Sequence, residues 1–485
     1  MARDDPPTLQ ASPLPQASDP RVKRLLPWLV AVAFFMESLD TTILNTAVPA
    51  ISHALGVQPL SMKAVLASYT LSLAVFIPIS GWMADRFGTR RVFSSAIALF
   101  TLGSLLCGIT SDLHVLVLCR ILQGMGGSMM VPVGRLTLVR SFPKSELVRA
   151  MSFVSIPTLV APMLGPLLGG LIVHYLHWRV IFFVNIPIGI AGILLVWHRL
   201  PDFAAAHPDP LDIVGLILFG SGISLLSYVL EIFREHSLGT GGMLALLALA
   251  LALLGGYGLH AQGRRFPLLD LALFRIRTFS TAVSGSFVTR IGMGGVPFLL
   301  PLLYQVGLGL TPVQSGLLIM PQALAALTTK FSLPAILGRL GYRAVLVGNT
   351  IAVGVMIMLF GTIGPTTPTW LIVLQGLAYG ALMSLQYTAM NTLVYADVAP
   401  DKASRASSIA STAQQLSISF GVAVAGLATV FFLNARHGNA AAMIGGLHHA
   451  FLTLGLFTVA STLVFRRLQR DDGAEETRQK DIHLG

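Results

Sequence analysis

Charge is scarce in this 485-residue chain. Asp, Glu, Lys and Arg together make up 11% of it, against roughly 25% in an ordinary soluble domain. So little polar surface cannot coat a water-soluble globule of this length, and a mean hydropathy of +0.75 agrees. Cysteine is scarcer still: only Cys107 and Cys119 occur, both inside apolar segments. That excludes a disulfide-stapled scaffold and makes them packing residues. The 12 histidines are scattered near the ends of apolar runs, without metal-ligand spacing. There is no G-x-x-x-x-G-K-[ST] loop to cradle a phosphate and no nucleophile–base constellation. Nucleotide-driven and enzymatic classes are therefore excluded, and no catalytic residue, metal or cofactor is expected. No removable leader is expected either, because the first apolar run is too long for a signal core and lacks a small-residue cleavage site.

What is present is apolar length. Runs of about 20 apolar residues, each enough to cross a bilayer as a helix, occur fourteen times. Their approximate limits are 26–50, 62–84, 92–111, 114–138, 149–173, 180–198, 211–233, 241–260, 279–303, 313–335, 344–363, 369–394, 405–433 and 447–466. The chain is read as an all-α integral membrane protein. With the N-terminus in the cytoplasm, 25 of the 32 lysines and arginines fall on the cytoplasmic side. Excess Lys and Arg on that side is the usual topology signal, and an even number of spans puts both termini inside. The net charge of +11 is then mostly a topology signal, and no nucleic-acid partner is expected. Residues 1–24 read as a polar, Pro- and Ser-rich tail and 468–485 as a second cytoplasmic tail.

Two carboxylates stand out. Of the 21 acidic residues, only Glu37 and Asp40 lie deep within a span; Glu231 sits at a span end. An ionisable group near the bilayer centre costs a few kcal/mol or more and points to function. Their i, i+3 spacing puts both on one helix face, as a protonatable site lining a pathway would require. Arg120, in the fourth span, either faces a cavity or partner or snorkels to the outer interface about two turns away. Arg290, in the ninth, reaches the span-one carboxylates, an anionic substrate, or a backbone carbonyl or water. Lys330 is nearer the inner face and snorkels.

The sequence also repeats itself. Arg86-Phe87-Gly88-Thr89-Arg90 follows the second span, and Arg339-Leu340-Gly341-Tyr342-Arg343 follows the tenth, 253 residues later. Leu122-Gln123-Gly124 recurs as Leu374-Gln375-Gly376, 252 residues on. Six spans are thus duplicated, 25–200 and 279–467, with two more inserted at 201–278. Such paired halves are typical of secondary transporters that rock around a central site.

Four motifs carry a family resemblance covering about residues 22–467. GWMADRFGTRR at 81–91 resembles the loop signature G-x-L-A-D-R-x-G-R-[KR] of the major facilitator superfamily, with Met83 and Thr89 as departures. The resemblance implies a conformational latch built on Asp85, Arg86, Gly88 and Arg90; the second-half copy has Gly338 in place of Asp85, so the latch is asymmetric. RILQGMGG at 120–127 resembles the R-x-x-Q-G-x-G-[GA] signature of proton-coupled members, in which the arginine tunes a carboxylate. APMLGPLLGG at 161–170 resembles the antiporter motif, through Pro162, Gly165, Pro166, Gly169 and Gly170. LDTTILNTAVP at 39–49, with WR at 178–179 and FFVNIPIG at 182–189, resembles the fourteen-span drug/proton antiporters of the EmrB/QacA group. VPVGRLT at 131–137 and RIG at 290–292 resemble its MdtD-like subgroup, where Gln is usual at the position of Glu37.

The resemblance implies a major facilitator fold of two six-helix bundles plus two inserted central helices. It also implies proton-driven export of small amphipathic compounds by alternating access across the bacterial inner membrane, by a monomer that needs only its substrate, protons and a lipid bilayer. Asp40, Glu37 and Arg120 would couple protons, and Asn45, Gln123, Arg290 and Gln375 would line the substrate cavity. Two rival functions remain at this point: an exporter or uniporter of one specific metabolite, and a transport-dead membrane sensor.

Overall fold

A computed structural model describes residues 20–142, 144–204, 209–232, 239–329, 333–399, 402–433, 440–469 and 472. Most of both expected tails, Lys330, Arg234 and Arg436 lie outside the described residues. The first half comprises α1 (Pro20–Ala54), α2 (Lys63–Phe76), α3 (Ser80–Phe87), α4 (Thr89–Ile109), α5 (Leu113–Ser141), α6 (Lys144–Tyr175), α7 (Val180–Phe183) and α8 (Asn185–Arg199). The inserted pair is α9 (Ile213–Ile232) and α10 (Thr240–Gln262). The second half comprises α11 (Arg277–Leu302), α12 (Pro312–Thr329), α13 (Leu333–Phe360), α14 (Thr369–Leu393), α15 (Ala403–Leu433), α16 (Ala440–Ala460) and α17 (Thr462–Phe465). Among the described residues, each of the fourteen apolar runs lies mostly on helix. Among the described residues, twelve helical stretches are long and apolar enough to cross a membrane. The other two runs fall on α6, whose apolar stretch Val160–Tyr175 is shorter, and on α12, 18 residues long.

The repeat is visible in backbone geometry. Gly88 has φ +91° and ψ 145°, and Gly341, its counterpart, has φ +74° and ψ 159°. Only glycine adopts this region readily, so each half breaks its helix the same way, between α3 and α4 at Gly88 and within Leu333–Phe360 at Gly341. A Cβ on Gly169 would meet the Ile43 carbonyl of α1, and one on Gly421 would meet the Ile291 carbonyl of α11. The two glycines are 252 residues apart and their partner carbonyls 248, so the same helices approach in each half, about one turn out of register.

Between the halves, α6 packs on α12 and α2 on α15. The close backbone approaches lie toward the end of the bundle away from the Gly88 and Gly341 breaks. A Cβ on Gly170 would meet the Pro312 carbonyl, and one on Gly316 the Pro166 carbonyl. Gln305, in a π-helical turn (Leu303–Gly307) that follows Pro297 and Pro301 of α11, donates to the Thr46 carbonyl of α1 at 2.8 Å. The inserted pair sits against the α2–α15 seam, with Phe219, Ile223 and Tyr257 in one apolar cluster with Ala74, Ile409 and Leu416. Its near end is tied by Asp212, which accepts from His260 Nε2 at 2.7 Å and from the N–H groups of Gly215 and Leu268 at 2.9 and 3.2 Å.

Close helix approach in a bilayer depends on small residues, because lipid removes most of the hydrophobic drive between helices. Gly380 of α14 tests this, since a Cβ there would run into the Gln322 backbone of α12. Gly380→Val is expected to cost about 1–3 kcal/mol through overpacking and to lower the melting midpoint of the detergent-solubilised protein. Gly255→Ala, at a position with no neighbour within 4 Å, is expected to leave it unchanged or raised.

Candidate functional site

The site begins with Asp40, whose side chain is 1% exposed on α1. Burial removes a carboxylate's hydration, so partners must replace it. Three side chains from two other helices do so. Arg120 Nη1 of α5 donates to Asp40 Oδ2 at 2.6 Å. Gln123 Nε2, one turn further along α5, donates to Oδ1 at 2.9 Å, and Asn185 Nδ2, at the start of α8, donates to the same oxygen at 3.2 Å. The partners are held in turn. Gln123 Oε1 accepts from Arg120 Nη1 at 2.7 Å, the Arg120 guanidinium lies 4.1 Å from the Tyr69 ring centroid, and Asn185 also donates to Ser104 Oγ at 3.0 Å. Arg120, 1% exposed, thus meets a partner and does not snorkel.

Glycines let these helices approach closely enough. A Cβ on Gly103 of α4 would strike the Gln123 backbone, and one on Gly124 would strike Tyr69 and Ser72 of α2. The antiporter motif packs against the same helix that carries Asp40. Gly165 faces Thr42, Gly169 faces the Ile43 carbonyl, and Gly170 turns away to α12. Pro162 and Pro166 lie inside α6.

Glu37 is half-buried one turn before Asp40, in the electrostatic field of Asp40 and Arg135. Asn45 is half-buried and donates to the Thr41 carbonyl of its own helix at 3.3 Å. Arg290, 2% exposed, does not reach the Asp40 cluster. Its Nε donates to Ser286 Oγ and its Nη2 to Asn391 Oδ1, both at 2.8 Å, and its guanidinium lies 4.5 Å from the Tyr387 ring centroid. Among the described residues no carboxylate forms an ion pair with it. Gln375 is buried, with Oε1 unpartnered.

At the latch, Asp85 accepts from Arg140 Nη2 of α5 at 2.6 Å. Arg90 reaches Asp202 instead, through its backbone N–H at 3.1 Å and its side chain at 3.9 Å. Among the described residues Arg86 makes no side-chain hydrogen bond or ion pair. Among the described residues no group of three or more His, Cys, Asp or Glu is placed to hold a metal.

The sequence reading found Asp40, Arg120 and Gln123 but gave no role to Asn185, Tyr69 or Ser104. Asn185 carried a signal, a lone amide in the apolar run 182–189; Tyr69 and Ser104 carried none. Removing one member of a buried ion pair costs about 3–5 kcal/mol, because the other charge is stranded, whereas replacing both can be near neutral. Arg120→Ala is therefore expected to lower the thermal midpoint more than the double variant Asp40→Asn/Arg120→Gln, as read by melting of purified protein.

A profile of the Major Facilitator Superfamily matches residues 30–422. The chain is 41% identical over 448 residues to the multidrug-resistance-named protein MdtD of Cronobacter sakazakii, covering 92% of this chain and 94% of that one. It is 42% identical over 402 residues to an Escherichia coli protein of the same name, covering 82% and 85%. Among solved structures, a D-xylose–proton symporter superposes with a TM-score of 0.66 at 14% identity, covering 93% of this chain and 99% of that one. A bacterial homolog of the lysosomal transporter Spinster, inward-facing and occupied, superposes at 0.65 with 15% identity, covering 96% and 99%. These structures share the fold. The chain is an integral membrane protein and belongs to the major facilitator superfamily.

Proposed function

We propose that the protein is a proton-coupled exporter of small amphipathic compounds, working by alternating access in the bacterial inner membrane with both termini cytoplasmic. Its two six-helix halves span 25–200 and 279–467, and the inserted helices 201–278. The observation that carries this reading is the buried network of Asp40, Arg120, Gln123 and Asn185. With Asp40 ionised, the Asp40–Arg120 pair is neutral overall. A proton on Asp40 leaves Arg120 as an uncompensated buried cation, which the site tolerates only by rearranging. Protonation is thus tied to movement of α1 against α5, and a cationic compound and a proton exclude each other at one place. With the Gly88 and Gly341 loops cytoplasmic, the close approaches between the halves fall on the outer side, so this state faces the cytoplasm. Asp85 on Arg140 acts as the latch between states. The names of the MdtD relatives support drugs as the substrate class.

One elementary charge crossing 100 mV is worth about 2.3 kcal/mol, a sufficient drive if the exchange moves net charge. Asp40→Asn is expected to abolish efflux driven by a pH gradient in proteoliposomes, compared with the parent at equal amounts of folded, inserted protein. Undiminished efflux by that variant refutes the proton-carrier role.

A second reading is favoured by Arg290. A buried guanidinium with Ser286, Asn391 and Tyr387 around it, and no carboxylate in an ion pair, suits a metabolite bearing an anionic group. Under this reading Arg290→Gln raises KM for such a solute at least ten-fold and leaves counterflow of an amphipathic cation unchanged. Equal loss for both compounds refutes it.

A further inference from the structure

The helix after the latch has no cap of its own. The N-cap position of α4 is Gly88, which has no side chain to offer. Ordinarily the first N–H groups of a helix go to a capping side chain or to water. Here they go to the segment that leads from α8 to the inserted pair. The Thr89 N–H donates to the Phe203 carbonyl at 3.1 Å, and the Arg90 N–H donates to Asp202 Oδ1, also at 3.1 Å. Thr89 Oγ1 donates to the Pro201 carbonyl at 3.3 Å and accepts from the Phe203 N–H at 3.1 Å. A Cβ on Gly88 would collide with the Asp202 carboxylate, so the glycine serves both the break and the docking of this segment.

The same segment reaches the latch. Arg140 spreads its guanidinium between Asp85 Oδ1 at 2.6 Å and the Phe203 carbonyl at 3.4 Å. Phe203 is 7% exposed, so the strap is seated by an apolar anchor. Beyond it, the Asp209 carbonyl accepts from Trp82 Nε1 of α3 at 2.9 Å, and Asp212 then ties α9 to α10. Thr89, a departure from the superfamily loop signature, thereby gains an explanation: its hydroxyl exchanges two hydrogen bonds with the strap.

We propose that residues 201–203 are a strap that caps α4 from outside and sets the geometry of the Asp85–Arg140 latch, with Asp202 as its positioning residue. Through it the inserted helices bias the equilibrium between the two faces of the transporter. The inference rests on the latch reading of Asp85. Asp202 acts by accepting a hydrogen bond at Oδ1 and by placing its carboxylate at the positive end of α4, and the acceptor is the larger part.

The test uses spin labels at Arg91→Cys and Leu340→Cys, both exposed and next to the Gly88 and Gly341 breaks of opposite halves, in a Cys107→Ala/Cys119→Ala background reconstituted in nanodiscs. Pulsed dipolar distances between them report how the halves are disposed, without any substrate. Asp202→Ala is expected to change the ratio of the distance populations about five-fold, as loss of a helix cap does. Asp202→Asn, which keeps the acceptor, is expected to match the parent. Asp85→Asn is expected to move the ratio in the same direction, and adding Asp202→Ala to it to produce no further change. A parent-like Asp202→Ala, an Asp202→Asn as shifted as Asp202→Ala, or additive effects of Asp85→Asn and Asp202→Ala overturns the strap. A parent-like Asp85→Asn overturns the latch reading itself and the strap's coupling to it. Melting midpoints of all variants separate a conformational shift from loss of folded protein.

Discussion

The Asp40–Arg120 contact is the constraint from which the first half is organised. Two opposite charges at 1% exposure persist in a low-dielectric bundle only if nearly every lone pair and N–H they expose finds a partner. That requirement selects Gln123 on the next turn of α5 and Asn185 on α8. It also sets helix spacing, because side chains as short as Asn and Asp reach each other only where backbones approach closely. The glycines at 103, 124, 165 and 169 supply that closeness on the surrounding helices. A packing motif and a proton-coupling motif, read separately along the chain, are thus two requirements of one site.

Much of this was legible in one dimension, for a physical reason. Charge within an apolar run is costly enough to be conspicuous, so Glu37, Asp40, Arg120 and Arg290 stood out before any fold was known. Glycine breaks were equally visible, because φ near +90° leaves little choice of residue. What stayed hidden was carried by uncharged groups acting through space. Tyr69 beneath Arg120 looks like any core aromatic. Asp202 looks like an ordinary loop acid until it is found capping a helix more than a hundred residues upstream. The span-six segment was read for its family pattern, and the amide inside it proved to be a ligand of the central carboxylate. Of the alternatives open for Arg290, contact with the span-one carboxylates is not made, because α11 turns its side chain toward Asn391 and Tyr387 of α14.

The duplicated halves share a backbone plan but not a charge plan. The offsets that align the loops carry Asp40 onto Met293 and Arg120 onto Ile372, both buried apolar residues. Gln123 maps to Gln375, which keeps its amide but has lost the groups it would serve, leaving Oε1 unpartnered. Under the proposed proton coupling, the first half changes its charge on protonation of Asp40, while the matched positions of the second half, Met293 and Ile372, have no group that can titrate.

Glu37 sharpens the point. The 253-residue offset places it on Arg290, and the 252-residue offset carries Arg135, in whose field Glu37 lies, onto Tyr387, against which Arg290 stacks. Equivalent positions on α1 and α11 thus hold an acidic and a basic residue, each beside a residue of the equivalent partner helix, α5 or α14. Two acids or two bases there would make the halves alike, whereas one of each makes the pair of positions polar. Under the proposed export function, that difference favours one orientation of a solute whose charge is unevenly distributed, because its cationic end is drawn to the α1 side and its anionic end to the α11 side.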